Sequence, residues 1–394
     1  MMDRTVADAA LIEAARSIAP LVRACRGEGE RERRLPAQVL AAMHEARLFR
    51  MYIPKALGGL EIDPITSMIV VEEIARADAA AAWNLMLGAT YGLWAAFLPN
   101  DAAREIYGAP DAVVAGALRP TGRARPVDGG FVVDGRWSFA SGIRHSAWWN
   151  AGCLVERGGG GDDDAFRPPA AEAWLVFFPA ADGELIDNWD VGGLRGTGSD
   201  DYAVSGLFVA RTRAIPFDAA PRAPGTLYRL PRQALLDNMM AALPLGIART
   251  AIDTLVEIAA GGKRPAGAGV PLAERTTVQA DVARAEALYL SGRALLYDSV
   301  AQSWEAAQDG RELSVREIAV LRLARTHAVQ AAVQAVDLMY TDAGGAAIYT
   351  RNPLERCFRD IHTVTQHVSM NPANYEVSGR VLLGLAPDRA LYRL

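Results

Sequence analysis

The hydrophobic period of this chain changes twice, and that order of periods limits the folds open to it. From Val6 to about residue 112 the apolar residues recur at helical spacing. "LPAQVLAAMHEARLF" carries Pro36 at a first-turn position, and "PITSMIVVEEIARADA" restarts a helix after a loop marked by Pro54 and Gly58-Gly59. Near Val113 the pattern becomes short alternating runs bounded by glycines: "GGFVVDGRWSFASG", "AEAWLVFFPA" and "YAVSGLFVA" predict strands. From Leu230 the chain returns to long Ala-rich stretches with one apolar stripe, which predict a helical bundle. The expected class is α+β in three domains: 1-112 helical, 113-222 a β barrel or sandwich, and 223-394 a C-terminal four-helix bundle. Long antiparallel helices of this kind also suit a symmetric homo-oligomer.

Charge and cysteine usage narrow the partners. The net charge is −5 and no basic stripe stands out, which argues against nucleic acid. The 22 residues from Ala79 to Asn100 carry no charge, yet Asn84, two glycines, Thr90 and Tyr91 dilute them; they read as a buried helix and not as a membrane span. Asp3, Arg4 and Asp8 break up any apolar leader, and Cys25, Cys153 and Cys357 follow no metal spacing. A cytoplasmic protein without a metal is expected. "RGGGGDDDAFRPP" reads as a mobile surface loop, because its aspartates would repel phosphate.

Helices, then strands, then a helical bundle resembles the acyl-CoA dehydrogenase fold over nearly the whole chain. "IPKALGGLE" resembles that superfamily's P-x-x-x-G-G turn, "VVDGRWSFASG" and "GLRGTGSDDYAVSGLFV" its β domain, and "AGGAAIYTRNPLERCFRD" its glycine pair and Arg-Asp. A dehydrogenase must take a proton alpha to a thioester and needs a positioned carboxylate. Where the family carries its glutamate this chain has Val368, just after His367; Glu376 comes eight residues later, and in the earlier helix from which some dehydrogenases draw their base the nearest acid is Asp237. The Thr-Glu-Pro and Gly-Ser-Asp of the dehydrogenases are absent from "AGALRPTGRARPVDGG". "GRWSFASGIRHSAWW" and "RDIHTVTQH" resemble instead the flavin-dependent two-component monooxygenases of this superfamily, among them aromatic hydroxylase oxygenase components.

That resemblance implies reduced FMN or FAD supplied by a separate flavin reductase, oxygen held as a C4a-hydroperoxyflavin, and transfer of one oxygen atom to an aromatic or heterocyclic small molecule. A homotetramer is implied too. It places Ser141 beside flavin N5 and His367 at the peroxide; the bland readings are a turn serine and a core histidine. Trp137 and Phe139 are cofactor-wall candidates or strand core. Arg195 would meet flavin carbonyls or phosphate, or only form a surface salt bridge; Gln279 matches a glutamine near the cofactor. Gly344 and Gly345 would let backbone approach the flavin of a neighbouring subunit, or only cap a helix. Trp83, Tyr91 and His145 are substrate-side candidates, and Tyr91 stands where phenol hydroxylases carry a histidine. Met239, Met240 and Trp94 are wall or core, while His44, His327 and His362 are helix-face residues. Two other readings stay open: an acyl-CoA dehydrogenase using Asp237 or another displaced acid, and a non-catalytic flavin-fold binding protein.

Overall fold

The computed structural model describes residues 7–155, 172–264 and 269–387. The Gly-Asp-rich insertion and part of "KRPAGAG" lie outside the described residues. Five helices come first: α1 (Ala9–Glu32), α2 (Ala37–Glu45), α3 (Pro64–Ala75), α4 (Ala79–Gly92) and α5 (Asn100–Tyr107). Aspartates start three of them. Asp8, Asp63 and Asp78 each accept a backbone N–H three residues on, at 3.0, 2.9 and 3.0 Å.

The expected β domain is present as one mixed seven-stranded sheet. Its strands are β1 (Val114–Val127), β2 (Gly130–Ala140), β3 (Trp148–Val155), β4 (Glu172–Pro179), β5 (Glu184–Ile186), β6 (Asp200–Ala210) and β7 (Ala214–Pro216). They run β5-β6-β2-β1-β3-β4-β7, and only the β1–β3 pair is parallel. The alternation seen in sequence places Phe131, Trp137, Trp149 and Tyr202 in one core formed by the sheet's own strands.

The C-terminal part is α6 (Arg232–Ala260), α7 (Thr276–Gln308), α8 (Val315–Ala343), α9 (Pro353–Val364) and α10 (Asn374–Leu382). Among the described helices α6 alone is long and apolar enough to cross a membrane, and 78% of its most apolar window is buried inside the protein. The uncharged α4 has every residue buried. It wedges between the sheet and α6, which explains a helix without a polar face. Glu72 of α3 stitches the two helical parts together. Its buried carboxylate accepts from Tyr289 at 2.9 Å, Tyr297 at 2.6 Å and Arg293 at 3.0 Å, all on α7.

Candidate functional site

Where α4 meets the end of β2, the Trp83 indole N–H donates to the Ser141 hydroxyl at 3.0 Å. Ser141 Oγ lies 2.6 Å from Ser199 Oγ, and Ser199 lies 2.7 Å from Thr197 Oγ1. Thr197 donates to the Leu194 carbonyl at 2.9 Å. The three hydroxyls are buried and form one line.

The loop that carries Thr197 and Ser199 is gripped by the Arg-Asp pair of α9. Asp360 accepts the Leu194 N–H at 2.7 Å, and Arg359 donates to the Gly192 carbonyl at 2.9 Å. Between them Gly193 lies so close to α9 that a Cβ would stand 2.2 Å from the Arg359 carbonyl oxygen, so no other residue fits. Leu194 itself adopts φ +51°, a left-handed conformation that these contacts hold in place. Burial, with Asp78 nearby, pushes the Asp360 carboxyl up to about 7.

His367 follows α9 and caps a short 3-10 turn, Val368–Met370. Its Nδ1 accepts the Ser369 N–H at 3.2 Å, which leaves the ring proton on Nε2. The imidazole meets Trp83 edge-on, with centroids 5.9 Å apart. Burial lowers its pKa, and Asp237 partly offsets that. A neutral ring with one N–H to donate is the result. Asp237 is buried on α6; Gln233 donates to it at 2.9 Å and Arg325 lies 3.7 Å away. Burial lowers the Arg325 guanidinium to about 10, against the pull of Asp237. Asp237, the carboxylate that acts on His367, is thus engaged by a buried cation.

Several features fit a flavin. A β-bulge between Trp137 and Ala140 turns Phe139 outward at φ +67°, leaving it 72% exposed, edge-on to Trp189 at 6.2 Å. An exposed aromatic held in a strained conformation beside Ser141 offers a surface for a planar ring. The exposed Arg195 rides on the same 3-10 turn as Thr197. Trp137, expected as a possible wall, lies elsewhere. It is fully buried in the β core, stacks on Tyr202 at 5.2 Å and donates to the Gly152 carbonyl at 2.7 Å. Its place one bulge before Phe139 put it on the inner face.

Gln279, Gly344 and Gly345 are exposed at one end of the bundle. Gln279 donates to the Ala273 carbonyl at 2.9 Å, and Gly344, at φ +57°, closes α8 with open space around its Cα. Among the described residues no hydrogen bond or ring contact joins these three to Ser141 or His367.

On the substrate side, Tyr91 is buried and donates to the Gly116 carbonyl at 2.8 Å, and burial raises its pKa. Its proton is therefore committed, and only its oxygen lone pairs remain for a ligand. His145 lies behind Gly142, with neither ring nitrogen hydrogen-bonded. Burial, then Arg34 and His44, push it down to about 3. Met239, Met240 and Trp94 belong to the helical core. Thr197, Ser199 and the clamp by Asp360 went unread in the sequence. Two hydroxyls two residues apart on one loop were the available signal.

These elements agree with the comparisons to known proteins. Family models described as the N-terminal and C-terminal domains of acyl-CoA dehydrogenase match residues 3–103 and 238–372. Indole-3-acetate monooxygenase of Pseudomonas putida is 33% identical over 366 residues, covering 93% of this chain and 91% of that protein. This chain belongs to the flavin-dependent monooxygenase branch of the acyl-CoA dehydrogenase superfamily. The oxygenase subunit HsaA of Rhodococcus jostii is 27% identical, over 90% of this chain and 93% of its own. The crystal structure of 3-HSA hydroxylase from Rhodococcus sp. RHA1 superposes with a TM-score of 0.87 at 26% identity, covering 98% of this chain and 99% of that one. XiaF from Streptomyces sp., in complex with FADH2 and glycerol, also has a TM-score of 0.87 at 26% identity, covering 96% of each chain. The chain is accordingly an oxidoreductase, the oxygenase component of a two-component monooxygenase.

Proposed function

We propose that the chain takes reduced FMN or FAD from a separate reductase and inserts one atom of O2 into an aromatic small molecule, indole-like compounds first among them. The observation that carries this reading is the single tryptophan, Trp83, that touches both Ser141 and His367. Reduced flavin supplies the electrons that activate oxygen. The chain's own residues do the rest. Ser141 would accept at N5, the neutral His367 would offer its Nε2 hydrogen to the oxygen, and Phe139 and Arg195 would hold the ring system. The fully buried α4, which carries Trp83, keeps water out of the region.

Tyr91 supports the substrate class. Its oxygen can accept from an indole N–H or a phenol O–H but has no proton to give. The similarity to indole-3-acetate monooxygenase points the same way. The open Gly344-Gly345 edge and the Ala-rich helices support a homotetramer in which these glycines face a neighbouring subunit's flavin. The free thiols of Cys25, Cys153 and Cys357 suit a cytoplasmic location beside the reductase. The test is to supply FMNH2 or FADH2, oxygen and indole, indole-3-acetate or phenol, and to measure product against hydrogen peroxide. Product formed only by oxidised flavin and an acyl-CoA would favour a dehydrogenase, with Asp237 as base.

A further inference from the structure

We propose that Thr197 and Ser199 turn the Ser141 hydroxyl into a one-way acceptor, and that this makes the site prefer reduced over oxidised flavin. The inference rests on the flavin reading above.

The argument is a count of protons. Three hydroxyls make three close oxygen–oxygen contacts: Ser141 to Ser199 at 2.6 Å, Ser199 to Thr197 at 2.7 Å, and Thr197 to the Leu194 carbonyl at 2.9 Å. Each hydroxyl carries one proton and the carbonyl carries none. Only one arrangement places a proton in every contact. Thr197 donates to Leu194, Ser199 to Thr197, and Ser141 to Ser199. Ser141 meanwhile receives the Trp83 N–H at 3.0 Å. Its proton is spent, one lone pair is taken, and one lone pair is left.

The carbonyl that sets this direction is itself fixed. Leu194 is held by Asp360 through its N–H at 2.7 Å, and its oxygen also receives the Trp189 indole N–H at 3.3 Å and the Thr197 N–H at 3.1 Å. Ser141, Thr197 and Ser199 are 5, 1 and 4% exposed, so bulk water cannot easily supply a competing proton.

Flavin N5 bears a hydrogen when reduced and a lone pair when oxidised. Beside a hydroxyl that can only accept, reduced flavin gains a hydrogen bond. Oxidised flavin meets lone pair against lone pair. Reduced flavin would then bind and oxidised flavin would leave, which is what an enzyme fed by a diffusing reduced cofactor requires. Ser199 and Thr197 act through Ser141 and are positioning residues.

The experiment is anaerobic equilibrium titration of the full chain with FMN, FMNH2, FAD and FADH2, for the unaltered protein and for Ser199→Ala, Thr197→Val and Thr197→Ser. Ser199→Ala and Thr197→Val release the Ser141 proton, so affinity for oxidised flavin should rise about tenfold with reduced flavin little changed. Thr197→Ser keeps the hydroxyl and should keep the original ratio. An unchanged ratio in both hydroxyl-removing variants overturns the proposal. If neither variant folds, Ser199→Cys, which keeps the shape but accepts the Ser141 proton poorly, decides: a rise in affinity for oxidised flavin supports the proposal and an unchanged ratio overturns it. A protein that binds flavin in neither redox state overturns the functional reading instead.

Discussion

Trp83 donates its indole N–H to Ser141 at 3.0 Å, and its ring meets the imidazole of His367 edge-on with centroids 5.9 Å apart. One buried side chain on α4 thus fixes the spacing of a residue from the β region and a residue from the C-terminal helices. Trp83→Phe keeps the ring and removes the donor. It should cost about 1 kcal/mol in chemical denaturation and raise the share of reduced flavin lost as peroxide. Trp83→Ala should cost roughly 3–5 kcal/mol. Equal peroxide yields from Trp83→Phe and the unaltered protein would remove the donor from the account.

His367 should stay neutral to lower pH than an ordinary histidine, because burial lowers its pKa from 6.5. The neutral ring is the form that donates from Nε2 and accepts at Nδ1. Product coupling should therefore be flat above 6.5 and fall only at a lower pH, as the ring gains its proton. The check is the product-to-peroxide ratio across pH. A midpoint at or above 6.5 would contradict the burial argument.

The order of helical and alternating periods was legible because both rest on which face is buried. The strand order was not, since it depends on long-range pairing such as the parallel β1–β3 contact. At the site, "FASG" and "RDIHTVTQH" pointed to Ser141 and His367 through resemblance. Trp137 and Phe139 could not be told apart, because a bulge reverses the alternation between them. The role of Asp360 was hidden because its partner, Leu194, lies far away in sequence and is reached through a backbone N–H.

Asp360 should act as the clamp of the hydroxyl loop. Asp360→Ala leaves the Leu194 N–H buried without an acceptor and should destabilise the fold by about 1–3 kcal/mol. Asp360→Asn keeps an acceptor oxygen and should recover most of that loss. Denaturation of the three proteins side by side tests this. Equal stability of the Ala and Asn variants would mean the N–H contact does not matter.

Two buried groups should pull stability in opposite directions on acidification. His145 is pushed down from 6.5 to about 3, so between those values the unfolded chain binds the extra proton and stability falls as pH falls. Asp360 is raised from 3.8 to about 7, so across that window the folded chain binds the extra proton and stability rises as pH falls. His145→Gln removes the first effect alone. Relative to the unaltered protein it should gain up to about 1.4 kcal/mol per pH unit below 6.5. A constant difference between the two proteins across that range would show that His145 is not buried neutral.

The most direct measurement of the central claim is rapid mixing of the FMNH2- or FADH2-loaded protein with oxygen, following oxygen uptake and hydrogen peroxide release separately. A site built from Ser141 and His367 to hold activated oxygen predicts uptake well ahead of release, and predicts that His367→Ala closes the gap. Peroxide release that keeps pace with uptake in the unaltered protein, as for free reduced flavin, would contradict it.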